Sequence, residues 1–277
     1  MNRSKTSMWA SSGALIGALV TTLAPSAASA HVANVTIKSN SGDVRVIGSS
    51  KATDIGGEGW RDVRRSRRAD GNEEVVVRGL SDDIVVTIPA KAALTVKTRN
   101  ARITVQGVRG AVRCRTVSGH VEIQGASSGA DVKSVSGNVK LTNAAGAVQI
   151  RTISGHVSVA GGRPLSETRI TTISGDIRLE RVGPGSIRTT SGEVTVDGAL
   201  GTGESAEIRS HSGDVQARLR TPRGVRYALH SFSGDLEVRG PKGTRRGEQS
   251  LEGTIGKGAA RLRLSSFSGD IDLHLRP

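Results

Sequence analysis

The chain has 277 residues, a formal net charge of +14, one cysteine and only 2% aromatic residues. A single cysteine excludes an internal disulfide framework, and the scarcity of rings excludes a core built on large aromatics. Packing must therefore come from stacked Val, Ile and Leu, while the cationic balance favours anionic partners.

Met1 to Ala30 has the features of a secretory signal. Arg3 and Lys5 precede an apolar run from Ala14 to Leu23, and Ala28-Ser29-Ala30 forms a small-residue cleavage site. The run is too short to span a bilayer permanently. The expected mature chain starts at His31 and carries +12, the formal +14 less Arg3 and Lys5. No later stretch approaches membrane-spanning length, so we expect an exported protein, periplasmic or at the cell surface, without a transmembrane segment after signal cleavage. Export argues against nucleic acid as a partner. It points to anionic envelope polymers, lipid headgroups or envelope proteins.

Residues 31–97 contain strand-like runs at Val32–Ile37, Val44–Ile47, Glu74–Val77 and Ile84–Ile88, interrupted by a polar insert from Asp54 to Asn72. They are expected to form an irregular β segment that starts and caps a solenoid. Within the insert, Trp60 to Arg68 combines one tryptophan with five arginines and reads as a loop. An earlier copy of the repeat described next, Ser41-Gly42-Asp43-Val44, lies in this segment.

Residues 98–277 are regular. The phrase Thr/Ser-x-Ser-Gly-x-Val/Ile/Leu recurs around Gly119, Gly137, Gly155, Gly175, Gly192, Gly213, Gly234 and Gly269, at spacings of 18, 18, 20, 17, 21, 21 and 35. Periods near 20 residues signal stacked units that bury their apolar faces only against their neighbours. Four residues before each motif serine stand Cys114, Val132, Ile150, Ile170, Ile187, Ile208, Leu229 and Leu264, all apolar. Pairs such as Val121/Ile123 and Val157/Val159 follow each glycine at the two-residue period of a half-buried strand. The fold class is therefore all-β, a single-domain β-solenoid (β-helix or β-roll) of about nine short repeats. A β-sandwich of hairpins is the competing architecture.

Ile88-Pro89, Leu94-Thr95-Val96-Lys97-Thr98, Ile103-Thr104-Val105-Gln106-Gly107 and the serial Ser-Gly-x-Val/Ile units resemble the bacterial β-strand-repeat "putative adhesin" family, from Val32 to Leu275. The resemblance implies a single-domain β-solenoid in an exported or envelope-attached protein, and it brings no catalytic residues. The chain departs from the pattern at Asn100-Ala101, where the family would have Ser-Gly.

The outward position after the buried column reads Arg115, Lys133, Arg151, Thr171, Arg188, Arg209, His230 and Ser265, a basic stripe on stacked rungs. Two residues further run Val117, Val135, Ile153, Ile173, Thr190, His211, Phe232 and Phe267. This second stripe is either an exposed interaction surface or a face covered by a loop of the N-terminal segment. The corner residues after each glycine run His120, Asn138, His156, Asp176, Glu193, Asp214, Asp235 and Asp270, and the Asp and Asn among them are expected to bond their own backbone. Their spacing does not match the calcium-binding repeat, and we expect no metal. Cys114 falls among buried aliphatics and reads as a small hydrophobe. The match Gly125-Ala126-Ser127-Ser128-Gly129 lacks the following helix of a nucleophile elbow and reads as a turn.

These readings predict a non-catalytic, adhesin-like binding protein with no cofactor. Its binding stripe comprises Arg115, Lys133, Arg151, Arg188, Arg209, Phe232 and Phe267. A self-associating structural envelope protein is the alternative, and a β-helix polysaccharide enzyme the remote one.

Overall fold

The computed structural model describes residues 32–67, 73–79, 82–183 and 185–277. The expected signal sequence, Met1 to Ala30, lies outside the described residues. The described chain forms 24 strands and no helix. Pairing is parallel throughout, except for four antiparallel strands at the two ends of the stack.

Each rung is two short strands joined by a Thr/Ser-x-Ser-Gly corner, and the corner explains why the rungs superpose. At Thr152-Ile153-Ser154-Gly155, the Thr152 hydroxyl donates to the Ser154 carbonyl at 3.0 Å. Ser154 N–H donates back to Val135 of the preceding rung, and Gly155 N–H donates to Ser174 of the next. Gly155 has φ of 120°, and a Cβ placed there would lie 2.4 Å from the Gly137 carbonyl oxygen. The corner thus needs glycine twice over, for its backbone angle and for the approach of the neighbouring rung. The serines form a continuous file of parallel bridges, Ser118–Ser136–Ser154–Ser174–Ser191. At the variant corner Asn100 keeps this file intact, bridging both Ser41 and Ser118, and Ala101 is buried beneath it.

Stacked this way, the aliphatic columns meet as the sequence predicts. Ile150 pairs with Ile170, Ile170 with Ile187, and Ile187 with Ile208, all buried. A second inward column runs Val121, Val139, Val157, Ile177, Val194 and Val215 on the other side of the corner. The core lies between these two walls.

Rung order departs from chain order at both ends. Val32–Lys38 sits between Glu73–Arg78 and Ala93–Lys97, and Val44–Ser49 sits between Ile84–Pro89 and Ile103–Gln106. The first rung in sequence is therefore the second in space. Likewise Ala260–Ser268 and Ile271–Arg276 insert between the rung of Ser205–Ser212 and Val215–Arg220 and that of Gly224–Ser233 and Leu236–Gly240. Both terminal rungs are consequently paired on two sides.

The outermost rungs are closed by antiparallel strands. Gly56–Glu58 pairs with Ile84–Pro89, and Asp62–Arg67 with Glu73–Arg78. At the other end Gly243–Gly247 pairs with Leu236–Gly240, and Ser250–Gly256 with Gly224–Ser233. This corrects the loop reading of the arginine-rich insert. Asp62–Arg67 is a strand because Val63 packs on the core while its arginines stay in water, and Trp60 packs beside it. Arg65 also pairs with Asp54 at 2.9 Å and Glu73 at 3.2 Å. Charged, short, reversed edge strands discourage further strand addition.

The corner makes a direct test. Gly155→Ala should lower unfolding free energy by at least about 2 kcal/mol, since it combines a strained φ with a backbone clash. Gly56→Ala, with nothing within 4 Å of an added Cβ, should stay within about 0.5 kcal/mol of the parent in urea denaturation. Equal effects at the two positions would contradict the corner account.

Candidate functional site

The surface of the wall that precedes each corner carries the sequence-predicted stripes, and the pairing registers place them. Arg115 pairs with Lys133, Lys133 with Arg151, Arg151 with Thr171, Thr171 with Arg188, and Arg188 with Arg209. Arg209 then meets Ser265, which meets His230. The file continues in the other direction, where sequence reasoning missed it. Lys97 pairs with Arg115, Lys38 with Lys97, and Arg78 with Lys38. Arg78, Lys38, Lys97, Arg115, Lys133 and Arg151 thus form an unbroken run of cations on six adjacent strands, about 24 Å long at the spacing of hydrogen-bonded strands. The signal for two of them was present, since Lys38 and Lys97 each stand three residues before the corner's serine or asparagine, as Arg115 does. Arg78 precedes no motif and could be found only from the fold.

The two halves of the file differ electrostatically. Glu207 lies 3.4 Å from Arg188 and 2.6 Å from Arg209, so that segment is locally neutralised. The six-cation run makes no ion pair among the described residues. Like charges on neighbouring strands repel, so its members raise the energy of the free surface. The opposite wall is balanced instead, with Lys140 on Glu122, Arg178 on Glu180 and Arg239 on Glu237.

Beside the cations runs the apolar file. Val117, Val135, Ile153 and Ile173 are 43–51% exposed, and nothing among the described residues covers them. The described strands of the N-terminal segment, Gly56–Glu58 and Asp62–Arg67, close the end of the stack instead of lying over this file. After Thr190 the file resumes as His211, Phe267 and Phe232, in that spatial order because of the exchanged rungs. Their rings stack at centroid distances of 4.9 Å, and Phe232 at the end is 71% exposed.

The corner residues behave differently from expectation. They accept hydrogen bonds from the next rung's backbone rather than from their own. His156 N–H donates to Asn138 Oδ1 at 3.0 Å, Glu193 N–H to Asp176 Oδ1 at 3.0 Å, and Asp270 N–H to Asp214 Oδ1 at 2.9 Å. The register sets each of these side chains within hydrogen-bond reach of the stacked neighbour's N–H. This file carries His120, Asn138 and His156 in its middle and turns to carboxylates at Asp176, Glu193, Asp214, Asp270 and Asp235. Among the described residues no group of three or more His, Cys, Asp or Glu is arranged to hold a metal ion.

Inside the corner runs a file that the sequence reading passed over. The hydroxyls of Ser39, Thr116, Ser134, Thr152, Thr172 and Thr189 are buried and donate to the carbonyl two residues on. The invariably hydroxylic first position of the motif was its signal. Ser128 Oγ donates to the Arg109 carbonyl at 2.7 Å, and Gly125 to Gly129 is a turn without a helix after it.

A broad groove of about 860 Å³ opens near the far end of the same wall, lined by Glu167, Glu204, Glu207, Glu252, Arg226, Arg261 and Arg263 among others. Its acids are committed locally. Glu207 holds Arg188 and Arg209, and Glu204 accepts the Gly201 N–H.

With this geometry in place, the comparisons locate the chain. It belongs to the Toastrack DUF4097 family, which matches residues 62–274. Among proteins with curated descriptions, none matches it. A solved structure from Clostridium sporogenes ATCC 15579, described as a "putative cell adhesion protein", is 11% identical, with 90% of this chain and 94% of that one covered and a TM-score of 0.21. Likeness of that degree carries no argument about this chain.

Cys114 is fully buried beside Val96 and Val132. Burial, with a smaller contribution from the Asp131 carboxylate, pushes its thiol up to about 12. A thiol reagent at neutral pH should label the native protein negligibly and the unfolded one stoichiometrically. The folded thiol stays protonated after the unfolded one ionises near 9.0, so its stabilising effect, full below that pH, is lost as pH rises toward 12. Relative to Cys114→Val, the parent should lose about 1.4 kcal/mol per pH unit in that window. Parallel pH profiles would contradict the assignment.

Proposed function

We propose that the protein is a non-catalytic, adhesin-like module that binds an anionic component of the cell envelope through its six-cation file, and that it acts after export. The observation that carries this reading is the file itself, Arg78 to Arg151 on adjacent strands without an ion pair among the described residues. Aligned like charges are costly in the free protein, and an anionic partner relieves that cost. The expected signal sequence supports an envelope location over a nucleic-acid partner.

The alternative of a self-associating structural protein gains no support from the stack ends. Their closing strands carry arginines at both ends, at Arg64, Arg65 and Arg67 on one and Arg245 and Arg246 on the other. Short, charged, antiparallel closing strands are poor templates for adding a further parallel rung. A polysaccharide enzyme would need free acids grouped around a unique site, whereas Asp176, Glu193 and Asp214 recur with the rungs as scaffold residues do, and in the groove Glu167 is bonded to Arg169, Glu204 to the Gly201 N–H, and Glu207 to Arg188 and Arg209.

Binding to dextran sulfate, a soluble polyanion, tests the reading by titration at low and moderate salt. The triple reversal Arg115→Glu, Lys133→Glu, Arg151→Glu should weaken binding at least about tenfold and flatten its salt dependence. Reversal at Arg188 and Arg209, already partnered by Glu207, should have a smaller effect. Affinity unchanged by the triple reversal would overturn the proposed function.

A further inference from the structure

We infer that the partner of this edge is an anionic lipid bilayer, with the aliphatic file seated at the boundary between headgroups and acyl chains. The inference rests on the cation-file reading and adds to it the apolar file, which that reading leaves unused. On three adjacent rungs an exposed aliphatic in the corner follows, two residues on, the cation that ends the strand: Val117 after Arg115, Val135 after Lys133, Ile153 after Arg151. A soluble polyanion would satisfy the cations and leave the aliphatics in water. A bilayer interface takes both, phosphates over the cations and the aliphatics below them, as it does with amphipathic surfaces bordered by Lys and Arg.

Other occupants fit the edge less well. A second copy of the same edge would oppose cation to cation. A sugar polymer would need ring faces to stack on, but the mutual stacking of His211, Phe267 and Phe232 at 4.9 Å covers both faces of Phe267 and one face of each of its neighbours. Charge at the neighbouring corner agrees with this placement. Alongside the three rungs that carry both files, the corner holds His120, Asn138 and His156, whereas its carboxylates lie to either side, at Asp43 and Asp83 and from Asp176 onward. Repulsion from an anionic surface is therefore weakest at the three rungs where the two files coincide.

Flotation with phosphatidylcholine vesicles, with and without about one-third phosphatidylglycerol, tests this on the signal-free chain. The wild type should float with the anionic vesicles only. The variant Val117→Thr, Val135→Thr, Ile153→Thr keeps the β-branching that favours strands. It should lose vesicle affinity at least about tenfold while binding dextran sulfate within about twofold of the wild type. A second readout is independent of affinity. An environment-sensitive fluorophore on Ile153→Cys should shift to the blue on adding anionic vesicles, while one on Lys140→Cys, on the opposite wall, should not. Buried Cys114 does not compete for label. Vesicle binding unchanged in the threonine variant, or no shift at residue 153, overturns the inference. Binding to dextran sulfate but not to vesicles overturns it and leaves the proposed function standing, whereas binding to neither removes both.

Discussion

The constraint on which everything else depends is the contact between successive corners, where one glycine's Cα sits against the carbonyl of the glycine one rung away. A Cβ at Gly137, Gly155, Gly175, Gly192 or Gly213 would lie 2.1–2.5 Å from that oxygen. The contact holds only if the rungs lie in register, because a slip by one residue would turn every side chain to the other face. The buried threonine and serine hydroxyls and the corner side chains reinforce the same register from inside and outside the turn. A short repeat thereby becomes a rigid ruler that sets residues at one spacing along two walls.

A ruler of this kind adds up whatever chemistry the repeat carries. An aliphatic at one inward position becomes a continuous core without large rings, and a cation at one outward position becomes a charged edge. Isolated surface cations contribute little, but six on adjacent strands act together on a partner that can meet them all. The interaction surface is thus a by-product of the device that holds the fold. The ends obey a different requirement, since a stack has two open edges. Here the chain turns back over its outermost rungs and tucks both terminal rungs inside, so neither the first nor the last described strand sits at an edge.

Much of this was legible in the sequence wherever the signal was periodic. Ile150, Ile170 and Ile187 were recognisable as one column, and Val117 to Ile173 as one outward file, because each recurs at a fixed offset from the glycine. What could not be read was which rung lies on which. Val75 and Val77 present the same inward pair as Val35 and Ile37, so rung 73–89 and rung 32–49 are interchangeable by pattern. Their order is set by long-range closure of the edge, which no local residue encodes. The same exchange hid Arg78 from the basic file and put Phe267 between His211 and Phe232. The corner side chains were misread for a related reason. Within a turn Asn138 or Asp176 would bond locally, but the stacked rung supplies a donor 18 or 17 residues away in sequence. Family membership agrees with the repeat architecture and leaves the assignment of function to the surface.

Spin-label distances test the rung order, and with it both files, most directly. Labels on Arg151→Cys paired with Lys38→Cys should lie closer, about 19 Å between backbones, than labels on Arg151→Cys paired with Arg78→Cys, at about 24 Å. Stacking in chain order would reverse the two, and broad distributions at both pairs would show that the rungs do not lie in register at all.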